Sequence, residues 1–333
     1  MTMQAIPRIR LGATAMMATL SGCFAVVDVD RFHIAETTGQ SPSDAAAMST
    51  DANASPSEAG AAGQDGGALT APGAYLNLKL TLVGMNPHVA QLFEYRIIDS
   101  TNFIQSRGVV NPLGAPDVVI NVPQAIPTVN GPFRLDFYAD VNSSGGYDGL
   151  GSVITNDHAW RIDPLVNYPD GTPSVEGLVQ VTFTHNTSFT DINSYPSGTT
   201  NPAHDTGLGA TIHVINAGAF QGKLIQARVV EQATNRTVGM FRVPQITAAV
   251  FDMTIPGVVE TLSQYNVLIY VDANGNGIYD NPAAPVEPSA EPDFGWNISG
   301  TASTPAGDGG TTGLELTFDP SVALPSNVDV GAP

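Results

Sequence analysis

From residue 75 onward the chain alternates large apolar and polar side chains. Tyr75-Leu76-Asn77-Leu78-Lys79-Leu80-Thr81-Leu82 changes character at almost every step. That is the period of a β-strand with one face in a core and the other in water. Similar runs follow at 92–98, 102–110, 117–122, 133–139, 158–162 and 175–183. The intervals carry Asn86-Pro87, Asn111-Pro112, Asn130-Gly131-Pro132 and Asp170-Gly171, pairs whose backbone preferences suit turns. Seven short strands over about 120 residues predict an antiparallel sandwich. A second series then repeats the order at 210–215, 223–231, 237–243, 250–255, 266–271, 294–298 and 313–318.

The repetition is sharpest in one loop. Tyr138-Ala139-Asp140-Val141-Asn142-Ser143-Ser144-Gly145-Gly146-Tyr147-Asp148 returns as Tyr270-Val271-Asp272-Ala273-Asn274-Gly275-Asn276-Gly277-Ile278-Tyr279-Asp280. Counted from Asp140 and Asp272, both copies have Asp, Asn, Gly, Tyr and Asp at positions one, three, six, eight and nine. Each loop is followed by Asp-x-x-Trp, Asp157 to Trp160 and Asp293 to Trp296. The two loops start 132 residues apart, and the opening strands share a similar offset, the mark of an internal duplication.

Oxygen-bearing side chains at every second position, around a sharp turn, suit a hard cation. Asp140, Asn142, Ser144 and Asp148 form one such set, and Asp272, Asn274, Asn276 and Asp280 the other. Their first nine positions resemble an EF-hand calcium loop. That resemblance implies one calcium ion per copy. Position twelve departs from it, with Gly151 and Ala283 where an EF-hand carries a bidentate Glu. Asp157 and Asp293 are expected to replace that Glu from the next strand, with the repeated Trp packed under the loop. The flanking segments read as strands, and the alternative is a pair of Asn/Gly-rich turns without an ion. In general plan the sandwich resembles the immunoglobulin-like modules of bacterial surface proteins. The predicted fold class is therefore all-β, with two tandem immunoglobulin-like antiparallel β-sandwich domains.

The N-terminus changes the picture of where such a chain works. Arg8 and Arg10 precede an apolar run at 11–20, too short to span a bilayer as a helix. Leu20-Ser21-Gly22-Cys23 follows and contains the single cysteine. This segment resembles the signal peptide and lipobox of bacterial lipoproteins. The resemblance implies cleavage before Cys23, lipidation of Cys23 and anchoring to a membrane. Phe24 rather than Asp after the cysteine implies the outer membrane, on its periplasmic or surface face. Residues 35–72 hold almost no large apolar side chain and predict a disordered tether. The expected organisation is signal peptide 1–22, lipidated N-terminus and linker 23–72, first sandwich 73–193, linker 194–206, second sandwich 207–322 and tail 323–333.

The formal charge is −19, from 31 acidic and 12 basic residues. Nothing there supplies the Lys/Arg surface that nucleic-acid phosphates require. Catalytic signatures are lacking too. The sequence has no Gly-x-Ser-x-Gly elbow, no His-Glu-x-x-His and no cysteine besides the one expected to be lipidated. Asp148 with Asp157 has the residue types of a glycosidase pair, but calcium accounts for both. His158 lacks a counterpart in the second copy, which has Phe294, and reads as incidental; His185 and His213 read as outward strand positions. The expectation is a non-enzymatic envelope lipoprotein that serves as a calcium-stapled scaffold. The alternative is an adhesion or carbohydrate-binding module for a glycan or envelope protein, using aromatic residues such as Tyr168, Phe189 and Tyr195. A hydrolase ranks below both.

Overall fold

The computed structural model describes residues 75–129, 131–150, 156–166, 177–193, 202–205, 207–277, 279–280, 293–303 and 313–322. The signal segment, Cys23, the tether and the tail 323–333 lie outside the described residues.

The fold is all-β. The first copy supplies β1 (Tyr75–Val83), β2 (Leu92–Ile98), β3 (Ile104–Val110), β4 (Val118–Pro127), β5 (Phe133–Asp140), β6 (His158–Val166) and β7 (Leu178–Thr184). The second supplies β8 (Leu208–Val214), β9 (Leu224–Glu231), β10 (Arg236–Val243), β11 (Phe251–Val259), β12 (Gln264–Asp272), β13 (Phe294–Thr301) and β14 (Leu314–Phe318). In β1 the predicted alternation holds, with Leu76, Leu78, Leu80 and Leu82 all buried. Each such side chain stabilises the fold by roughly 1.5–3 kcal/mol through burial.

Two three-stranded sheets, ordered β4-β1-β7 and β11-β8-β14, flank an eight-stranded sheet ordered β13-β12-β9-β10-β3-β2-β5-β6. In each small sheet the last strand of the copy runs parallel to its first. The long sheet reads the same from either end, since β10, β9, β12 and β13 are the counterparts of β3, β2, β5 and β6. Its central pair, β3 with β10, is parallel, while its other pairs are antiparallel.

Because the central strands are parallel and the strand order is mirrored about them, the two copies are related by a half-turn about an axis along the strands. Such a turn exchanges the two faces of the sheet, so the two cores form on opposite faces. Strand alternation bears this out. Gly108 pairs with Met240, and Met240 belongs to the first core; Val109 pairs with Phe241, and both belong to the second. Each copy thus completes its core with a side chain from the other. The segment 202–205 also lies along this seam. Ile104 N donates to His204 O at 2.9 Å, and Asp205 pairs with Arg107 at 2.5 Å.

β5 is buried at every position because both of its faces are covered. Phe133, Leu135, Phe137 and Ala139 enter the first core. On the other face lies a charged cluster that strand alternation alone does not announce. Arg161 grips Asp136 with two hydrogen bonds, Nε to Oδ1 at 2.7 Å and Nη2 to Oδ2 at 2.8 Å. Arg96 Nε donates to Glu94 Oε1 at 2.7 Å, and Tyr138 OH donates to Glu94 Oε2 at 3.0 Å. Buried charges are tolerated there because they meet opposite charge and hydrogen-bond partners.

Candidate functional site

The repeated loops are hairpin connections. The first leaves β5 and returns in β6, where Ala139 pairs with His158; the second joins β12 to β13, where Val271 pairs with Phe294. Residues 151–155, Ile278 and 281–292 are outside the described residues.

Position one anchors each turn. Asp140 Oδ1 accepts from Ser144 N at 3.1 Å and Oδ2 from Gly145 N at 2.8 Å. In the second loop Asp272 Oδ1 accepts from Gly275 N at 2.5 Å and Oδ2 from Gly277 N at 2.7 Å. The sixth-position glycines, Gly145 and Gly277, have φ of +86° and +82°, a left-handed backbone that favours a residue without Cβ. Position three adds an Asx turn. Asn142 Oδ1 accepts from Ser144 N, and Asn274 Oδ1 from Asn276 N, each at 3.0 Å. Ser144 Oγ is turned to Gly146 O at 2.8 Å.

Position nine is held by side-chain amides. Asn142 Nδ2 donates to Asp148 Oδ2 at 2.7 Å. Asp280 Oδ2 accepts from both Asn274 and Asn276, at 2.5 and 2.6 Å. Asp148 is exposed whereas Asp280 is buried, so the second loop is the more closed.

The downstream aspartates are clasps. Asp157 Oδ1 accepts from Val141 N at 3.2 Å and Oδ2 from Asp148 N at 3.0 Å. Asp293 repeats this with Ala273 N at 2.7 Å and Asp280 N at 2.8 Å. One buried carboxylate therefore ties positions two and nine of each loop together. Burial pushes the Asp157 carboxyl up to about 6, and the nearby charges of Asp148 and Asp140 push the same way; its backbone donors act against both. Asp293 is likewise pushed up to about 6, chiefly by burial, with Asp272 and Asp280 adding repulsion against its backbone donors. Each loop thus holds three aspartates close enough to feel one another's charge.

Such a set fits a divalent cation chemically, since each loop concentrates carboxylate and amide oxygens. In the described arrangement backbone and amide N–H groups serve those oxygens. Among the described residues no three His, Cys, Asp or Glu side chains already meet as a metal cluster.

The repeated Trp residues are not beneath the loops. Phe137 pairs with Trp160, and Tyr138 with Ala159, so strand alternation directs Trp160 into the core on the other face. Trp160 and Trp296 are 2 % exposed within the two cores. The eighth-position tyrosines cover the loop side instead. Tyr147 packs on Tyr138 with ring centroids 5.4 Å apart at 55°, and Tyr279 on Tyr270 at 5.5 Å and 52°. The shared register of Tyr147 and Tyr279 was the available signal.

His185 also departs from its outward reading. Its ring faces His88, with the two Nε2 atoms 3.2 Å apart. His213 does face outward and meets Asp252 at 2.8 Å. Phe189 stacks on His158 with ring centroids 4.0 Å apart and is partly buried, while Tyr168 and Tyr195 are outside the described residues. A groove of about 560 Å³ runs beside the second loop, lined by Lys79, Asp117, Asn121, Arg242, Asn276 and Gly277 among others. Arg242 Nη2 donates to Gly277 O at 3.2 Å on its wall. Among the described residues no helix is long and apolar enough to cross a membrane.

No protein family matches the chain, and no curated protein matches it significantly. Among solved structures it is similar to the C-terminally truncated tip fimbrial protein Mfa3 of Porphyromonas gingivalis. The identity is 10 %, over 70 % of this chain and 83 % of that one, with a TM-score of 0.22. A mutant of the shaft pilin spaA of Lactobacillus rhamnosus GG is 11 % identical over 75 % of this chain and 100 % of that one, with a TM-score of 0.18. A candidate cell adhesion protein of Parabacteroides distasonis is 12 % identical over 74 % and 89 %, also with a TM-score of 0.18. TM-scores of this size support no inference about fold or role, which rest on the chain's own geometry.

Proposed function

We propose that the chain is a non-enzymatic lipoprotein of the bacterial envelope, anchored at the outer membrane through Cys23, whose two sandwiches each hold a structural calcium ion. The observation that carries the calcium reading is the duplicated carboxylate triad. Asp140, Asp148 and Asp157, and Asp272, Asp280 and Asp293, sit in equivalent loops with matching hydrogen-bond frames. Three like charges around a turn, two of them buried in the first loop and all three in the second, are costly without a counter-charge. Asn142 and Ser144, or Asn274 and Asn276, complete each oxygen set. Three carboxylates with neutral partners suit affinities of about 0.1–1 mM, the range of extracellular calcium modules. The anchor rests on Leu20-Ser21-Gly22-Cys23. An adhesion role ranks second because Phe189, one of its three aromatic candidates, is occupied by His158.

Calorimetric calcium titration of the full chain in mild detergent, followed by thermal melting, tests the calcium reading. Two sites are expected, with Asp140→Ala and Asp272→Ala each removing one. Neither heat nor thermal shift at several millimolar calcium would reduce the loops to turns.

A further inference from the structure

The two copies are each other's internal control, and they differ at one cluster of rings. In the second copy Phe220 ends the 3₁₀ turn after β8, and Phe294 opens β13. Their rings lie 5.4 Å apart, and each lies 6.1 Å from Trp296. In the first copy the corresponding positions are His88, which ends the 3₁₀ turn after β1, and His158, which opens β6. These rings lie 5.1 Å apart, and 5.5 and 6.5 Å from Trp160. The same frame is therefore filled by benzene rings in one copy and by imidazoles in the other. Packing alone does not call for the nitrogens, and burial opposes protonating them. His88 is 1 % exposed, and its pKa is lowered chiefly by that burial, against the Gln91 hydrogen bond and with help from His158 and His185.

A third imidazole arrives from the end of β7. His185 lies with its ring centroid 5.1 Å from that of His88 and 5.7 Å from that of Trp160. The Gln91 side chain settles the tautomer of His88. Gln91 Nε2 faces Pro87 O at 3.5 Å, leaving Oε1 to accept from His88 Nδ1 at 2.9 Å. In neutral His88 the proton is then on Nδ1, and the bare Nε2 accepts a hydrogen bond from His185 Nε2–H, 3.2 Å away, which a bound ion would replace. A histidine whose outer ring N–H is fixed by a carbonyl oxygen, with its other nitrogen bare, is oriented as metal-binding histidines are. Two nitrogens bound at about 2.0–2.1 Å to a tetrahedral ion would themselves lie roughly 3.3–3.4 Å apart. The observed separation is already close to that.

We propose that His88 and His185, with His158 beside them, form a site in the first repeat for a transition-metal ion of the zinc class. Since no three ligating side chains of the His, Cys, Asp or Glu types already meet among the described residues, the site rests on the His88–His185 pair. His158 joins by rotation of its side chain. Binding requires His185 to carry its proton on Nδ1, so neutral imidazoles take up the ion without net proton release. Imidazole nitrogen suits zinc, copper or nickel and leaves calcium to the oxygen loops. At the equivalent place the second repeat carries Phe220 and Phe294, which offer an ion no ligand.

The test is zinc titration of the full chain in detergent, with cobalt as the spectroscopic probe. One zinc per chain is expected, with a visible ligand-field band for cobalt showing nitrogen ligation. His88→Phe installs the residue that the second copy carries in the same place, and so keeps the ring packing. It should weaken zinc binding at least tenfold while leaving circular dichroism and the calcium response unchanged. His185→Gln should weaken it comparably, and Asp140→Ala with Asp272→Ala should leave it intact. Equal zinc affinity in the wild type and both histidine variants, or the absence of the cobalt band, would overturn the proposal.

Discussion

At the scale of single residues, the loops turn on two aspartates whose roles the primary structure only half reveals. Asp157 and Asp293 each accept two backbone N–H groups from opposite ends of a loop. Asp157→Ala leaves Val141 N and Asp148 N without those acceptors, at a cost of about 1–3 kcal/mol for each group that water cannot reach. Faster hydrogen exchange of these two amides, with a lower denaturation midpoint, is the expected result. The titration of the same carboxyls gives a second readout. Both are pushed up to about 6 from an ordinary 3.8, so the fold holds these protons more tightly than the unfolded chain does. Their contribution in the ion-free protein grows as pH falls from above 6 towards 4. A cation competes with those protons, so calcium should raise the melting temperature more at pH 7.5 than at pH 5. Melting curves with and without calcium at the two pH values measure this; an equal increment at both would separate the clasps from the ion. The aspartates were legible because carboxylate chemistry at fixed spacing is local. The histidines were not. His88, His158 and His185 are scattered along the chain, and only the fold brings their rings together.

At the scale of elements, the strands were legible almost throughout, because alternation is a local signal and turn residues punctuate it. What alternation does not specify is how side-chain volume is shared across a strand pair. Tyr95 lies opposite Gly108, and the corresponding pair in the second copy is Ala227 opposite Phe241. One large ring and one small residue fill the space in both, with the order reversed. A methyl group on Gly108 would run into the Tyr95 ring, and overpacking of this kind costs about 1–3 kcal/mol. Gly108→Ala should therefore lower stability by that amount. Tyr95→Ala with Gly108→Phe copies the second-repeat arrangement and should recover part of the loss caused by Tyr95→Ala alone. A double-mutant cycle by chemical denaturation measures the coupling, and simple additivity of the two changes would contradict volume sharing. The charged cluster on β2, β3, β5 and β6 escaped the pattern for a related reason. Glu94, Arg107, Arg134 and Asp136 occupy positions that alternation assigns to solvent, yet they are 0–4 % exposed because that face is covered too.

At the scale of the whole molecule, the duplication was visible in sequence but the joining of its halves was not. β3 is buried at six of its seven positions, a pattern that fits any strand covered on both faces and names no neighbour. In the structure its neighbour is its own counterpart, β10, and the half-turn between them makes each core borrow from the other repeat. Met240 belongs to the first core and Val109 to the second, beside Phe241. Burial of side chains of this size stabilises by roughly 1.5–3 kcal/mol each, which is large against the usual ~5–15 kcal/mol for a folded domain. Backbone bonding across the seam and the Arg107–Asp205 pair add to the coupling. The two sandwiches should therefore unfold together. Calorimetry of the full chain is expected to show one transition whose van't Hoff and calorimetric enthalpies agree. Met240→Ala, altered in the second repeat, should lower that single midpoint by opening a cavity in the first core, at about 2–5 kcal/mol. Two resolved transitions, with only the first displaced by Met240→Ala, would mean that each repeat is stable by itself and that the seam merely places them side by side.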